Sequence, residues 1–346
     1  MTNKGKATSI DIAYLAGVSQ STVSRALRNS PLVKPETVAR IQQIARELNY
    51  KVDKHASSLR TQQSTTLALL LFEDPTSDDS LINPFFLSML GSITRACAVK
   101  GYDLLVSFQQ LSDDWHADYE DSHKADGIIL LGYGDDVDYQ PKMQQLDAQG
   151  TRYVRWGADS GTLCVSSDNR QGGILATQHL IELGHKRIAF IGDASNHYPE
   201  LFARYQGYAA SLLAAGISLE PGLQVDAITT EESGYKATCA LLDSKSAGDF
   251  TAIFAASDLI AIGAMQALTE RGLKPGKDVS IVGFDDLPLA RFTTPALTTV
   301  RQDTKLAGES LVDKLISRIR GESVEAVTIP TQLIVRNSCG ALPGKV

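Results

Sequence analysis

The sequence predicts two fold classes in one chain. Residues 1–52 form a small all-α helix-turn-helix domain, and residues 65–346 an α/β body of two doubly wound parallel-sheet subdomains. Three observations carry this. The first fifty residues repeat apolar side chains at three- and four-residue spacing around a glycine turn. From Thr66 onward, short apolar runs alternate with helical stretches, the texture of strands and crossover helices. At 346 residues the chain is too long for one ordinary core.

In chain order, Thr8 caps a first helix, with Asp11 three residues on in a capping-box position. Ile12, Leu15 and Ala16 form its inward stripe, and Gly17 supplies a turn that needs a positive φ. Val18 packs inward. Ser19 caps a second helix, whose Val23, Ala26 and Leu27 face the core while Gln20, Ser21 and Arg25 project outward. A third helix starts near Pro35, buries Val38, Ile41, Ile44, Ala45 and Leu48, and ends at Asn49-Tyr50. Residues 53–64 are polar with a single large apolar residue, Leu59, and predict a linker with one short hinge helix, marginal in water on its own.

In the body, strands are expected at 67–72, 103–107, 127–131, 153–155, 187–192, 252–255 and 279–284. Residues 93–98 and 143–146 belong to intervening helices, and further helices lie around 172–184, 204–215, 234–242 and 259–271. The expected first subdomain is about 65–170 with 300–325, and the second about 171–299 with 326–346, with a cleft between them.

The net charge of −7 hides an asymmetry. Residues 1–64 hold ten Lys and Arg against four Asp and Glu, a surplus of six, which leaves −13 on the remainder. A basic head on an acidic body implies that only the head touches phosphate. No apolar run reaches the ~20 residues needed to span a bilayer, and Met1 to Thr8 lacks the apolar core of a secretion signal, so a cytoplasmic location is expected. Cys97, Cys164, Cys239 and Cys339 are far apart without a CxxC pattern, so reduced thiols are expected and neither a disulfide nor a metal site. Gly172-Gly173 fits no phosphate-binding pattern, no Gly-x-Ser-x-Gly elbow is present, and the six histidines form no HExxH. His179 and His185 read as structural. The chain is therefore expected to be no enzyme and to need no cofactor or metal.

Several segments stand in order along the chain, which has no internal repeat: Ala13-Tyr-Leu-Ala-Gly-Val-Ser-Gln-Ser-Thr-Val-Ser-Arg25, Glu47-Leu-Asn-Tyr50, Ala56-Ser-Ser-Leu59, Asn83-Pro-Phe-Phe86 and Asp126-Gly-Ile-Ile129. They continue with His179-Leu-Ile-Glu-Leu-Gly-His185, Arg204-Tyr-Gln-Gly-Tyr208, Asp258-Leu-Ile-Ala-Ile-Gly263, Val282-Gly-Phe-Asp-Asp286 and Leu297-Thr-Thr-Val-Arg-Gln-Asp303. Together they resemble the LacI/GalR family of bacterial transcription regulators over nearly the whole length. The resemblance implies a periplasmic-binding-protein-like effector body and a homodimer on a pseudo-palindromic operator. It implies a repressor of a carbohydrate-utilisation operon, released by a sugar or oligosaccharide, and placed on the nucleoid when bound to DNA. The alternatives are a co-repressed regulator with a purine-like ligand and, in another class, a sugar-binding transport protein, against which the basic head argues. No leucine heptad follows Arg336, so a zipper-made tetramer is not expected.

Gln20, Ser21 and Arg25 are the candidate base readers, since Arg matches guanine O6 and N7 and Gln matches adenine N6 and N7. Thr22, Ser24, Asn29 and Thr37 are candidate phosphate contacts, which position without specifying; Thr8, Ser19 and Ser57 complete the DNA-facing set. The resemblance implies that Leu59 inserts into the minor groove. It also aligns Arg204 and Asp285 with effector contacts, with Asp286 as rival to Asp285. Buried sugar hydroxyls require charged or amide partners, and Ser257 and Gln302 add to that set. Trp156 is either a plate for a sugar face or a core tryptophan. Asn83 and Phe85 would close the N-terminal wall, Phe85 being otherwise a core residue.

Overall fold

A computed structural model of the chain describes residues 7–27, 29–50, 64–72, 82–109, 118–132, 136–158, 164–244 and 250–340. Two compact units divide it, Met1–Ser64 and Thr65–Val346. The hinge candidates Ser57 and Leu59 lie outside the described residues.

The head consists of α1 (Ser9–Ala16), α2 (Gln20–Leu27) and α3 (Pro35–Glu47). Thr8 and Asp11 close the expected capping box: Thr8 Oγ1 accepts the Asp11 N–H at 3.4 Å, and Asp11 Oδ2 accepts the Thr8 N–H at 2.7 Å. Gly17 ends α1 at φ 62°, the left-handed conformation expected of it. Ile12, Ala13, Ala16, Val23, Ala26, Ile41 and Ala45 form the core, with Val18, Leu27, Val38, Ile44 and Leu48 packed against it. Leu15 is a correction, because it is 56% exposed and Ala13 takes the inward place. At 3.6 residues per turn the stripe through positions 12, 16 and 13 is centred about 110° away from Leu15.

In the body, β1 (Thr66–Phe72), α4 (Pro84–Lys100), β2 (Asp103–Gln109), β3 (Ile128–Leu131), α5 (Asp136–Gln149), β4 (Tyr153–Trp156) and β5 (Cys164–Ser167) come first. Then follow α6 (Asn169–Glu182), β6 (Ile188–Ile191), α7 (Pro199–Ala214), β7 (Gln224–Val225), α8 (Glu231–Asp243), β8 (Ala252–Ala255), α9 (Asp258–Glu270) and β9 (Ser280–Asp285). The chain closes with β10 (Thr298–Arg301), α10 (Thr304–Ile319), β11 (Val327–Ile329) and β12 (Gln332–Ile334). One six-stranded sheet has the order β11-β5-β4-β3-β1-β2, and the other β12-β10-β9-β8-β6-β7. All pairs are parallel except β10 with β12. In the first sheet Leu69 stands opposite Val106 on one side and Ile129 on the other. Helices cover both faces, which is why β1 reads as an unbroken apolar run rather than an alternation.

The chain passes between the sheets after Ser167, after Arg301 and after Ile329. All three expected boundaries therefore move, the one at 170/171 to the point after Ser167. β10 lies wholly in the second sheet, so the change at 299/300 falls after Arg301, and β11 lies in the first, so the change at 325/326 falls after Ile329. β11 pairs Val327 with Val165, and three residues carry too little periodicity to reveal that pairing.

Candidate ligand cleft and nucleic-acid surface

The cleft is built first by helix packing. A Cβ on Gly173 would stand 2.3 Å from the Arg204 carbonyl oxygen, and one on Gly207 would stand 2.2 Å from the Arg170 carbonyl oxygen. Two glycines thus let α6 and α7 approach backbone to backbone. This brings Arg204 of α7 against Asn169 at the start of α6. Arg204 is wholly buried. Its Nε donates to Asn169 Oδ1 at 2.9 Å and its Nη1 to the Ala256 carbonyl at 2.5 Å. Its Cζ lies 3.8 Å from the Phe284 ring centroid, a cation–π contact.

Phe284 belongs to β9, which ends on Asp285 at φ 119°, and Asp286 follows at φ 55°. Two successive L-residues at positive φ mark a strained corner. It gives the two carboxylates different partners. Asp285 Oδ1 accepts from Gln302 Nε2 at 2.6 Å and lies 3.8 Å from Arg204 Nη1. Burial pushes the Asp285 carboxyl up to about 6, against the pull of Arg204 and Gln302 toward the ionised form. Asp286 Oδ2 accepts from Arg301 Nε at 2.8 Å, and its other oxygen pairs with Arg336. Asp286 therefore ties β10 and the Arg336 segment to the corner, while Asp285 stands with Arg204 and Gln302.

Behind this row sits Asp258, the first residue of α9. Its Oδ1 accepts from Thr299 Oγ1 at 2.5 Å and its Oδ2 from the Leu287 N–H at 2.7 Å. Burial raises its carboxyl well above the ordinary range, and the Asp285 charge adds to that. Ser257 is occupied in capping α9, its Oγ accepting the Ile260 N–H at 3.2 Å. Asn83 caps α4 in the same way, Oδ1 to the Phe85 N–H at 2.9 Å. Phe85 and Trp156 are buried in the first-sheet core with ring centroids 5.9 Å apart. Leu259 and Leu287, which flank the second sheet, pack into that same cluster. At the edge of β4, the Ala158 N–H donates to Glu200 Oε1 of α7 at 3.0 Å, and Arg155 Nη2 donates to the Ala158 carbonyl at 2.9 Å.

The structure thus brings Arg204, Asp285 and Gln302 together, pairs Phe85 with Trp156, and gives Asn83 and Ser257 capping bonds. Sequence reasoning missed Asn169, the Ala256 carbonyl, Asp258 and Glu200 as parts of this region. Asp168-Asn169 ahead of a helix reads simply as a cap, and Asp168 does cap α6 through the Gln171 N–H at 2.9 Å. His185 is held between Thr251 Oγ1 at 2.9 Å and the Gly340 carbonyl at 3.0 Å, a structural setting. Among the described residues no group of three or more His, Cys, Asp or Glu is placed to hold a metal ion, and no helix is long and apolar enough to cross a membrane.

In the head, Gln20, Ser21 and Arg25 are exposed on α2, whose Val23 and Ala26 are buried. Ser19 Oγ accepts the Thr22 N–H at 3.2 Å and lies 2.8 Å from Ser21 Oγ. Gln20 Nε2 donates to Ser9 Oγ at 2.8 Å. Asn29, at φ 54°, accepts from Gln42 Nε2 at 2.8 Å through Oδ1. Thr8 is exposed, while Thr22, Ser24 and Thr37 are half-buried.

Residues 10–53 match the bacterial regulatory proteins of the lacI family, and residues 177–339 match the periplasmic binding protein-like domain. A helix-turn-helix head in front of such a body defines a DNA-binding transcriptional regulator. Over 336 residues the chain is 34% identical to the HTH-type transcriptional regulator CelR of Thermobifida fusca, across 94% of this chain and 96% of that one. The chain belongs to the lacI family of bacterial regulatory proteins. It is also 32% identical over 317 residues to the ribose operon repressor of Escherichia coli (strain K12), across 90% of this chain and 93% of that one. Among solved structures it is similar to a CelR–cellobiose complex, with TM-score 0.69, 32% identity, and 96% and 99% of the two chains covered. It is likewise similar to the lac repressor dimer bound to operator and an anti-inducer, with TM-score 0.81, 25% identity, and 97% and 100% covered.

Proposed function

We propose that the chain is a sugar-responsive repressor, a cytoplasmic homodimer that holds a pseudo-palindromic operator and releases it when a neutral sugar binds the cleft. The observation that carries this is the buried row Asn169, Arg204, Asp285 and Gln302 at the C-terminal edge of the second sheet, where α/β ligands bind. The guanidinium of Arg204 is already balanced by Asp285, so the row offers directional hydrogen bonds without a surplus charge. That suits hydroxyls better than a phosphate or carboxylate. Two of the relatives point the same way, one solved with cellobiose and one named for a ribose operon. The protein acts by binding rather than turnover. Residues 53–64 carry the signal from body to head, and the exposed Gln20, Ser21 and Arg25 read base edges. Phosphate contacts come from Thr8, Ser19, Thr22, Ser24, Asn29, Thr37 and Ser57, and Leu59 enters the minor groove.

Weakening the operator complex about 100-fold requires about 2.7 kcal/mol of differential affinity, which two or three hydrogen bonds made in one state supply. The second reading is co-repression by a purine-like ligand. It is favoured by 29% identity over 340 residues to the repressor PurR of Haemophilus influenzae (strain PittEE). A thermal-shift screen over cellobiose, ribose, other mono- and disaccharides and nucleobases tests both, followed by DNA-binding assays with each hit. A sugar that raises Tm and weakens DNA binding is the expected result. A nucleobase that strengthens DNA binding would establish the second reading instead.

A further inference from the structure

Ser167 is buried at the last position of β5, and its hydroxyl finds no hydrogen-bond partner among the described residues. Buried polar groups left unpaired are rare in folded proteins and ask for a reason. The position of this one supplies it. Val165 and Ser167 point to the same face of β5, and Trp156 stands opposite Val165 in the neighbouring strand. That face carries Phe85 and Trp156. The Ser167 carbonyl accepts from Asn169 Nδ2 at 3.1 Å, and the same Asn169 accepts from Arg204 through Oδ1. Ser167 thus borders the row of buried ligand-type groups, but from the first sheet, at the point where the chain crosses to the second.

We propose that the Ser167 hydroxyl is a ligand-binding group that pairs with one hydroxyl of the sugar from the first-sheet side of the cleft. This inference rests on the reading of the cleft as a sugar site. Phe85 and Trp156 offer that side apolar ring faces but no directional specification. A serine hydroxyl can donate and accept at once, which matches a sugar hydroxyl in either role. A ligand bonded to Ser167 and to the Arg204–Asp285 row spans both sheets, so Ser167 helps select ligands that reach across.

The test compares wild type with Ser167→Ala in two measurements. In the ligand-free protein, unfolding of Ser167→Ala is expected at the same Tm or higher, because the variant deletes an unpaired hydroxyl. By calorimetric titration with whichever of cellobiose or ribose raises the wild-type Tm, Ser167→Ala is expected to bind about tenfold more weakly. One singly deoxygenated analogue of that sugar should lose the same factor with wild type and lose nothing further with Ser167→Ala. A lowered Tm with unchanged sugar affinity would make Ser167 structural and overturn the inference. Equal losses on every deoxygenated analogue in both proteins would overturn it too. A wild type that responds to no sugar overturns the sugar-site reading itself, and the inference with it.

Discussion

Asp285 and Asp286 are neighbours in sequence with opposite work. Asp286 is clasped by Arg301 and Arg336, so Asp286→Ala releases the half-exposed Arg301 to water, leaves Arg336 only the Leu297 carbonyl, and should cost about 2 kcal/mol in urea unfolding. Asp285→Asn keeps its hydrogen bond from Gln302 but leaves the buried Arg204 guanidinium without its counter-charge, so it should lower stability in urea unfolding and also lose most of its sugar affinity in calorimetric titration. The folded Asp285 carboxyl stands near 6, above its ordinary 3.8, so its contribution to stability is full below about 4 and is lost as pH rises through 6. Asp258 is raised in the same direction, by burial and by the Asp285 charge, and adds to that decline. Tm measured from pH 4.5 to pH 8 should therefore fall less for Asp285→Asn than for wild type, and parallel curves would refute the assignment. Arg204 and Asp285 were legible in the sequence through their setting, the one in a recurring family segment and the other at the end of an apolar strand. Asn169 was not, because a polar residue beside a helix cap has an ordinary explanation ready.

At the scale of elements, the cleft depends on how closely α6 and α7 approach. Gly207→Ala places a methyl group 2.2 Å from a backbone oxygen that cannot swing aside. The helices must part, at about 1–3 kcal/mol by the usual cost of overpacking. Because Arg204 lies one turn before Gly207 on α7, the same change should also weaken sugar binding, whereas Asp286→Ala loses chiefly stability. A Gly207→Ala protein with wild-type unfolding and wild-type sugar affinity would show that the close approach is not needed. β1, β8 and β9 were legible because burial on both faces makes each a largely apolar run, and they stand within one or two residues of expectation. The three-residue β11 and β12 and the four-residue β5, Cys-Val-Ser-Ser, were not. Their place is fixed by partners far along the chain, as when Val327 meets Val165. Leu15 failed for a local reason, since a helix of eight residues has room for one narrow stripe and Ala13 fills it.

At the scale of the whole molecule, a head of +6 and a body of −13 divide affinity from control. The head's hold on DNA is largely counterion release, so operator affinity should fall linearly in a log–log plot against salt. Sugar affinity in the body should stay nearly flat over the same range, because its buried row pairs charges with each other. Arg25→Ala should remove discrimination between operator and random DNA while changing the salt slope by about one phosphate contact or less. If cleft and head are coupled, the coupling must be reciprocal. A sugar that weakens the operator complex about 100-fold must itself bind the operator-loaded protein about 100-fold more weakly. Titrating sugar into protein saturated with operator, at a salt concentration where the complex stays intact, reads that factor directly. An unchanged sugar Kd would mean that the cleft binds its ligand without reporting to the head. The relay through residues 53–64 would then have to be abandoned, even with both binding sites intact.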